Sequence, residues 1–226
     1  MQRTRASSDD HPGWLDRSDA RNHAVARSER TSPSFAEVAL NGRPALLFDG
    51  KGQHLAVEDA SALQFGTGDF TLAAVLRHTT PTASEWGYGC IASKQESTHP
   101  YLGPSLWGNS EGRTGQLLGQ LAYHSQRVLS GADDLNQGGP LLAVLQRRSV
   151  RGGTKLILRV NGNEARSTLG PTVDVSAPGS PLHIGSTPDP RQALRGNIAE
   201  IVAIKGPLAE ADSESLEAYL REKYGL

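Results

Sequence analysis

The chain has 226 residues, 37% of them hydrophobic, with 25 Gly, 13 Pro and a formal net charge of −1. That length and turn content suit one β-rich domain and argue against a helical bundle. A near-neutral charge supplies no basic field for nucleic acid or anionic lipid, and no apolar run approaches the roughly 20 residues that membrane insertion needs.

Residues 1–12 are polar and charged, and they are expected to form a flexible N-terminal segment ahead of one domain over 13–226. They contain no apolar core of a secretion signal. The chain is therefore expected to be made in the cytoplasm, with assembly into a particle as one fate, or to be a piece of a secreted protein. In GWLDRSDARNHAVA (13–26), Trp14 and Leu15 are the anchors, and Trp14 is expected in the core. FAEVALNGRPALLFDG offers two apolar stretches about an Asn41-Gly42 turn. GDFTLAAVLRH (68–78) alternates, with Phe70, Leu72, Ala74 and Leu76 on one face.

YGCIASK (88–94) is a further strand, and its Cys90 is the sole cysteine. A lone thiol in an apolar run is expected to pack as a small buried hydrophobe. Residues 95–116 are rich in Gly, Ser and Pro and are expected to form an excursion loop. Strand patterns resume at 116–125 and 140–150. In TKLILRVNGNEARSTL, Leu156, Leu158 and Val160 share a face and Asn161-Gly162 supplies the turn of a hairpin. PLHIGS and GNIAEIVAI follow as strands. Only the tail is helical, with Leu216, Tyr219, Leu220 and Tyr224 on one face and Gly225 as its stop.

Many short alternating strands and one late helix predict an all-β, two-sheet antiparallel sandwich, with the short C-terminal helix clasping its rim. In that order the segments resemble the bacterial laminin-G-like, concanavalin-A-like jelly-roll family. PALLFDGKGQHLAVEDASALQFGTGDFTLAAVLRH is similar to the family's opening strands, LLAVLQRRSVRGGTKLILRVNGNE to its central hairpin, and PLHIGS to its penultimate strand. LRGNIAEIVAIKGPLAEADSESLEAYLREKYGL looks like its closing strand, turn and helix, and Trp14-x-Asp16-x-Ser18 resembles an upstream segment of many members. The resemblance implies a jelly roll, and these motifs are structural, so activity must be argued from a site.

Some relatives on that fold hydrolyse glycans, and a retaining mechanism needs two carboxyl groups about 5–5.5 Å apart. On one strand that would be a Glu-x-Asp run, whose alternate side chains share a face. None lies on a predicted strand, since the acidic groups of VEDAS, ADDLN and AEADSESLE fall in loops or the helix, so an enzyme is not expected. The resemblance also implies calcium at the sandwich rim. Asp133, Asp134 and Asn136 in GADDLNQGG are the candidate oxygen ligands, with a solvated turn as the alternative. The seven His lack zinc-ligand spacing.

Aromatic residues concentrate in the middle of the chain: Trp86, Tyr88, Tyr101 and Trp107, then Tyr123 beside His124. Rings in loops suit sugar C–H faces, whereas Trp and Tyr also cap cores. The candidate ligand site is Trp86, Tyr88, Trp107, Tyr123 and His124. The expected function is a noncatalytic recognition module binding a glycan or surface protein, free or within a larger assembly or multidomain chain. The alternative is a structural or decoration protein of a virion or surface assembly, and glycoside hydrolysis ranks behind both.

Overall fold

The computed structural model describes residues 13–78, 88–108, 115–123, 125–131, 135 and 138–226. The expected N-terminal segment lies outside them. Among the described residues, fifteen strands begin with β1 (Gly13–Trp14), β2 (Ala24–Val25), β3 (Ser34–Leu40), β4 (Arg43–Asp49) and β5 (Leu55–Val57). The middle supplies β6 (Phe70–His78), β7 (Gly89–Ser93), β8 (Ser105–Gly108), β9 (Leu117–Ala122) and β10 (Ser125–Leu129). Then come β11 (Leu141–Val150), β12 (Gly153–Val160), β13 (Asn163–Gly170), β14 (Leu182–Ile184), β15 (Arg195–Lys205) and helix α1 (Glu210–Tyr224).

They form two antiparallel sheets. One has the order β1-β2-β5-β14-β7-β8-β9-β10, the other β13-β12-β11-β6-β15-β4-β3. The interior between them holds Phe48, Leu55, Phe70, Leu72, Leu106 and Leu145, all at most 1% exposed. Each such side chain contributes roughly 1.5–3 kcal/mol by leaving water. Asn41 and Asn161 take φ of 45° and 51° and their following glycines 79° and 87°, as hairpins of the expected type require. The fold is thus the expected two-sheet, jelly-roll-like sandwich.

Three local expectations need correction. The segment 95–116 contains a strand, β8, paired to both β7 and β9. Four residues that follow Pro104 and end in Gly108 are too short to show a period. The helix lies on the outer face of the seven-stranded sheet, not on a rim: Leu220 and Tyr224 pack with Ala73, Val75, Leu142 and Val144. Both faces of β6 are therefore buried, which its alternation understated. The helix buries Ser213, Glu217, Leu220 and Tyr224, while Tyr219 is 56% exposed.

Polar groups set that seat. Gln146 Nε2 donates to Thr71 Oγ1 at 3.1 Å and to Ser213 Oγ at 2.8 Å, both buried. Arg159 pairs with Glu210 at 2.7 Å and with the buried Glu217 at 3.3 Å. At the far end Asn41 Nδ2 donates to the carbonyls of Tyr224 and Gly225, occupying the helix's last acceptors. Gly225, in the left-handed region at φ 63°, closes the helix as expected.

The Trp14-x-Asp16-x-Ser18 segment is a folded strap. Trp14 enters the core at 8% exposure, and the Asp16 carboxylate accepts from Ser18 N–H, Ser18 Oγ and Asn22 N–H, each at 2.8 Å. Cys90 is fully buried, and burial pushes its thiol well above its ordinary pKa, as an inert packing residue requires.

Candidate functional site

The chain between β7 and β8 is a built loop. Lys94 N–H donates to Pro104 O at 3.0 Å and Glu96 N–H to Leu102 O at 2.8 Å, which closes its base. Gly103 N–H donates to Leu121 O and Tyr123 N–H to Pro100 O, both at 2.9 Å, so the loop hangs on β9 and the turn after it. A Cβ on Gly103 would come 2.3 Å from Lys94 O at a φ of 130°, so only glycine permits this closure. Lys94 itself is fully buried. Its ammonium lies 2.9 Å from Asp59 Oδ1 and donates to Ala177 O at 2.8 Å, which roots the loop in the sandwich.

The loop tip presents aromatic rings. His99, Tyr101 and Tyr123 form a closed trio, with centroids 6.0, 6.1 and 5.9 Å apart and planes at 76°, 77° and 82°. These are edge-to-face contacts, worth about 1 kcal/mol per pair beyond burial. Yet Tyr101 and Tyr123 remain 39% and 40% exposed, and His99 is exposed as well. Rings held by one another lose little freedom when a ligand arrives. They combine apolar ring surface with hydroxyl and imidazole groups, the combination that a sugar's C–H faces and hydroxyls match.

Tyr101 adopts φ 54°, unfavourable for a bulky residue by roughly 1–2 kcal/mol. Its N–H donates to Thr98 O at 2.7 Å and its carbonyl accepts from Gln95 Nε2 at 2.9 Å, which hold it there. Asparagine tolerates that conformation. Tyr101→Asn is therefore expected to shift stability by under about 1 kcal/mol while removing the central ring. Thermal unfolding of the variant checks the first part, and ligand binding the second.

The structure distributes the expected site residues unevenly. Tyr123 is in the trio, with Tyr101 from the same aromatic concentration. Trp107 is 3% exposed, its indole N–H donates to Ser105 Oγ at 2.7 Å, and it packs with Cys90 and Leu118. A ring so enclosed offers no open stacking face, so the sequence expectation for Trp107 as a platform is replaced by a packing role. Tyr88 stands edge-on to it at 5.9 Å. Trp86, His124, Asp133, Asp134 and Asn136 fall outside the described residues. No group of three or more His, Cys, Asp or Glu suited to a metal occurs among the described residues. The sequence overlooked His99, whose proximity to two tyrosines depends on β7–β8 and β9–β10 pairing.

Beyond the trio, the outer face of the eight-stranded sheet carries a polar row: His183, Ser93, Ser105 and Gln120 are consecutive partners on β14, β7, β8 and β9. Ser93, Ser105 and Gln120 are at most 7% exposed. Burial, then the charges of His54, Arg27 and Lys94, push His183 down to about 4, so its ring is neutral near pH 7.

No family model matches the chain, and no curated protein sequence matches it. Solved structures do. The chain is similar to the binding domain of Paraclostridial Mosquitocidal Protein 1, with TM-score 0.70 and 10% identity, covering 94% of this chain and 50% of that one. It is similar to the receptor binding domain of botulinum neurotoxin D, with TM-score 0.64, 11% identity and coverage of 91% and 50%. Trypanosoma rangeli sialidase in complex with the inhibitor DANA gives TM-score 0.57, 16% identity and coverage of 91% and 32%. The chain thus spans half or less of each. At such identities the likeness establishes a β-sandwich, jelly-roll-like class and nothing finer.

Proposed function

We propose that the chain is a noncatalytic recognition module that binds carbohydrate on a glycan or glycosylated surface protein through the His99–Tyr101–Tyr123 trio. The observation that carries this reading is an exposed aromatic cluster fixed by backbone bonds on a loop whose base is anchored in the core. Ring faces would meet sugar C–H groups, while the tyrosine hydroxyls and imidazole would bond hydroxyls. The reading fits neighbours described as a binding domain and a receptor binding domain, and it fits the laminin-G-like resemblance of the sequence. The absence of a Glu-x-Asp strand motif supports a noncatalytic role. Calcium held by Asp133, Asp134 and Asn136 would be a separate support, which the chelator arm of the same screen reads.

A broad glycan panel, screened with calcium and with chelator against the chain and its Tyr101→Asn/Tyr123→Ala variant, tests this. The expected result is a defined set of bound glycans whose binding falls at least roughly tenfold in the variant. Binding unchanged in the variant, or no glycan bound at all, overturns it. Loss of binding in chelator alone would assign a metal to the rim.

A further inference from the structure

A second surface lies in the seven-stranded sheet, where β4 leaves β15. Strand β4 pairs with β15 only over Arg195–Ile198, whereas β6 pairs with it through Lys205. Gly206 N–H donates to Asp69 O at 2.8 Å in the register Glu200↔Val75 to Lys205↔Phe70. Antiparallel pairs alternate, so Val202 and Ile204 bond to β6 and the N–H and C=O groups of Ile201 and Ala203 point the other way. Among the described residues nothing bonds to that edge of Ile201 or Ala203.

The edge forms one side of a cavity of about 510 Å³. The strap and the sandwich mouth line it on the inner side, through Trp14, Leu63 and Leu182, and helix α1 lines it on the outer side, through Tyr219 and Lys223. The inner wall is apolar core. The outer wall is polar, with Lys223 Nζ 2.7 Å from Glu200 Oε2. The result is a slot with a row of open backbone groups between an apolar and a polar wall, the environment of a missing strand.

We propose that this slot docks an extended peptide segment of a partner protein, which adds as a strand along β15 with large apolar side chains turned inward and polar ones outward. The ladder groups specify an extended backbone, and the two unlike walls specify alternation. The chain's own residues 1–12, MQRTRASSDDHP, fit poorly, because Met1 is their only large aliphatic side chain. A second copy pairing at this edge would make its occupancy depend on concentration, which the dilution below reads.

The test uses the full chain and two probes: a blocked nonapeptide alternating valine and threonine between terminal lysines, and the same peptide N-methylated at alternate residues. The expected result is roughly tenfold tighter binding of the first by calorimetry, together with slowed hydrogen exchange at Ile201 and Ala203. Ala203→Pro removes an N–H that β6 does not use, so it is expected to abolish that difference while Val202 keeps its exchange protection. The Tyr101→Asn/Tyr123→Ala variant is expected to bind the peptide unchanged, which separates this site from the trio. Equal binding of both probes, or none, overturns the proposal. So does protection at Ile201 and Ala203 in the free chain that is lost on deleting residues 1–12 or on dilution, because the chain itself or a second copy then fills the slot.

Discussion

Replacing Arg147 with methionine is expected to destabilise the fold by about 3–5 kcal/mol. The side chain is fully buried on a strand facing the sandwich interior, the last place that sequence patterning puts an arginine. Its guanidinium lies 5.3 Å from the Phe70 ring and forks across two loops, donating to Gly68 O at 2.8 Å, Gly66 O at 2.7 Å and Val173 O at 3.0 Å. Burial lowers its pKa, and Asp69 and Asp174 pull it back, so the charge is kept. Methionine would fill the volume but leave these carbonyls facing an apolar group. Lysine would keep the charge without the fork, and is expected to recover only part of the loss. Urea denaturation measures both, and a cost under about 1 kcal/mol for methionine would contradict the clamp.

The second large effect concerns Asp59. Asp59→Asn is expected to cost about 2–3 kcal/mol, because it leaves the fully buried Lys94 ammonium with only carbonyl partners. Burial would raise the Asp59 carboxyl. The Gly179 N–H, the Lys94 ammonium and the Gln64 amide outweigh it and hold the carboxyl below its ordinary range. A carboxyl depressed in the folded state contributes stability that is present above its unfolded pKa, about 4, and is lost as pH falls through the folded value. Wild type is therefore expected to lose this increment below about pH 4, and the asparagine variant to lack that part of the acid limb. Denaturation at several pH values measures the difference. Because Lys94 begins the aromatic loop, amide exchange over 95–104 is expected to quicken in the variant at neutral pH. Parallel stability curves for the two proteins across that pH range would contradict the assignment.

Where local chemistry decides, the sequence was readable. Asn41-Gly42 and Asn161-Gly162 can turn only with positive φ, and both do. The Phe70-Leu72-Ala74-Leu76 face follows from the period of a strand. Elements decided by tertiary contact were not readable. Strand β8 is too short to carry a period and depends on β7 and β9 for its hydrogen bonds. The helix turns Glu217 inward and Tyr219 outward because Arg159 on the sheet pairs with the first, an exchange that hydrophobic spacing alone ranks the wrong way. Arg147 and Lys94 look like solvated charges until the loops that cap them are in place.

The candidate site divides in the same way. The concentration of aromatics in mid-chain was visible, but not which of them would face water. Trp107 lies on a strand whose outer face is covered, and Tyr101 lies in a loop that backbone bonds hold open. His99 joins through sheet pairing that no sequence distance reveals. The free edge of β15 was likewise hidden, because it arises where β4 diverges and not from any property of IVAIK itself.

The most direct measurement is a titration of the isotope-labelled chain with the strongest-bound glycan of the panel, following ring and backbone resonances by NMR. The account expects the largest changes at His99, Tyr101 and Tyr123, smaller ones along 95–104, and none at Ile201 or Ala203. Changes centred elsewhere on the sandwich, with the three rings unmoved at saturation, would contradict it.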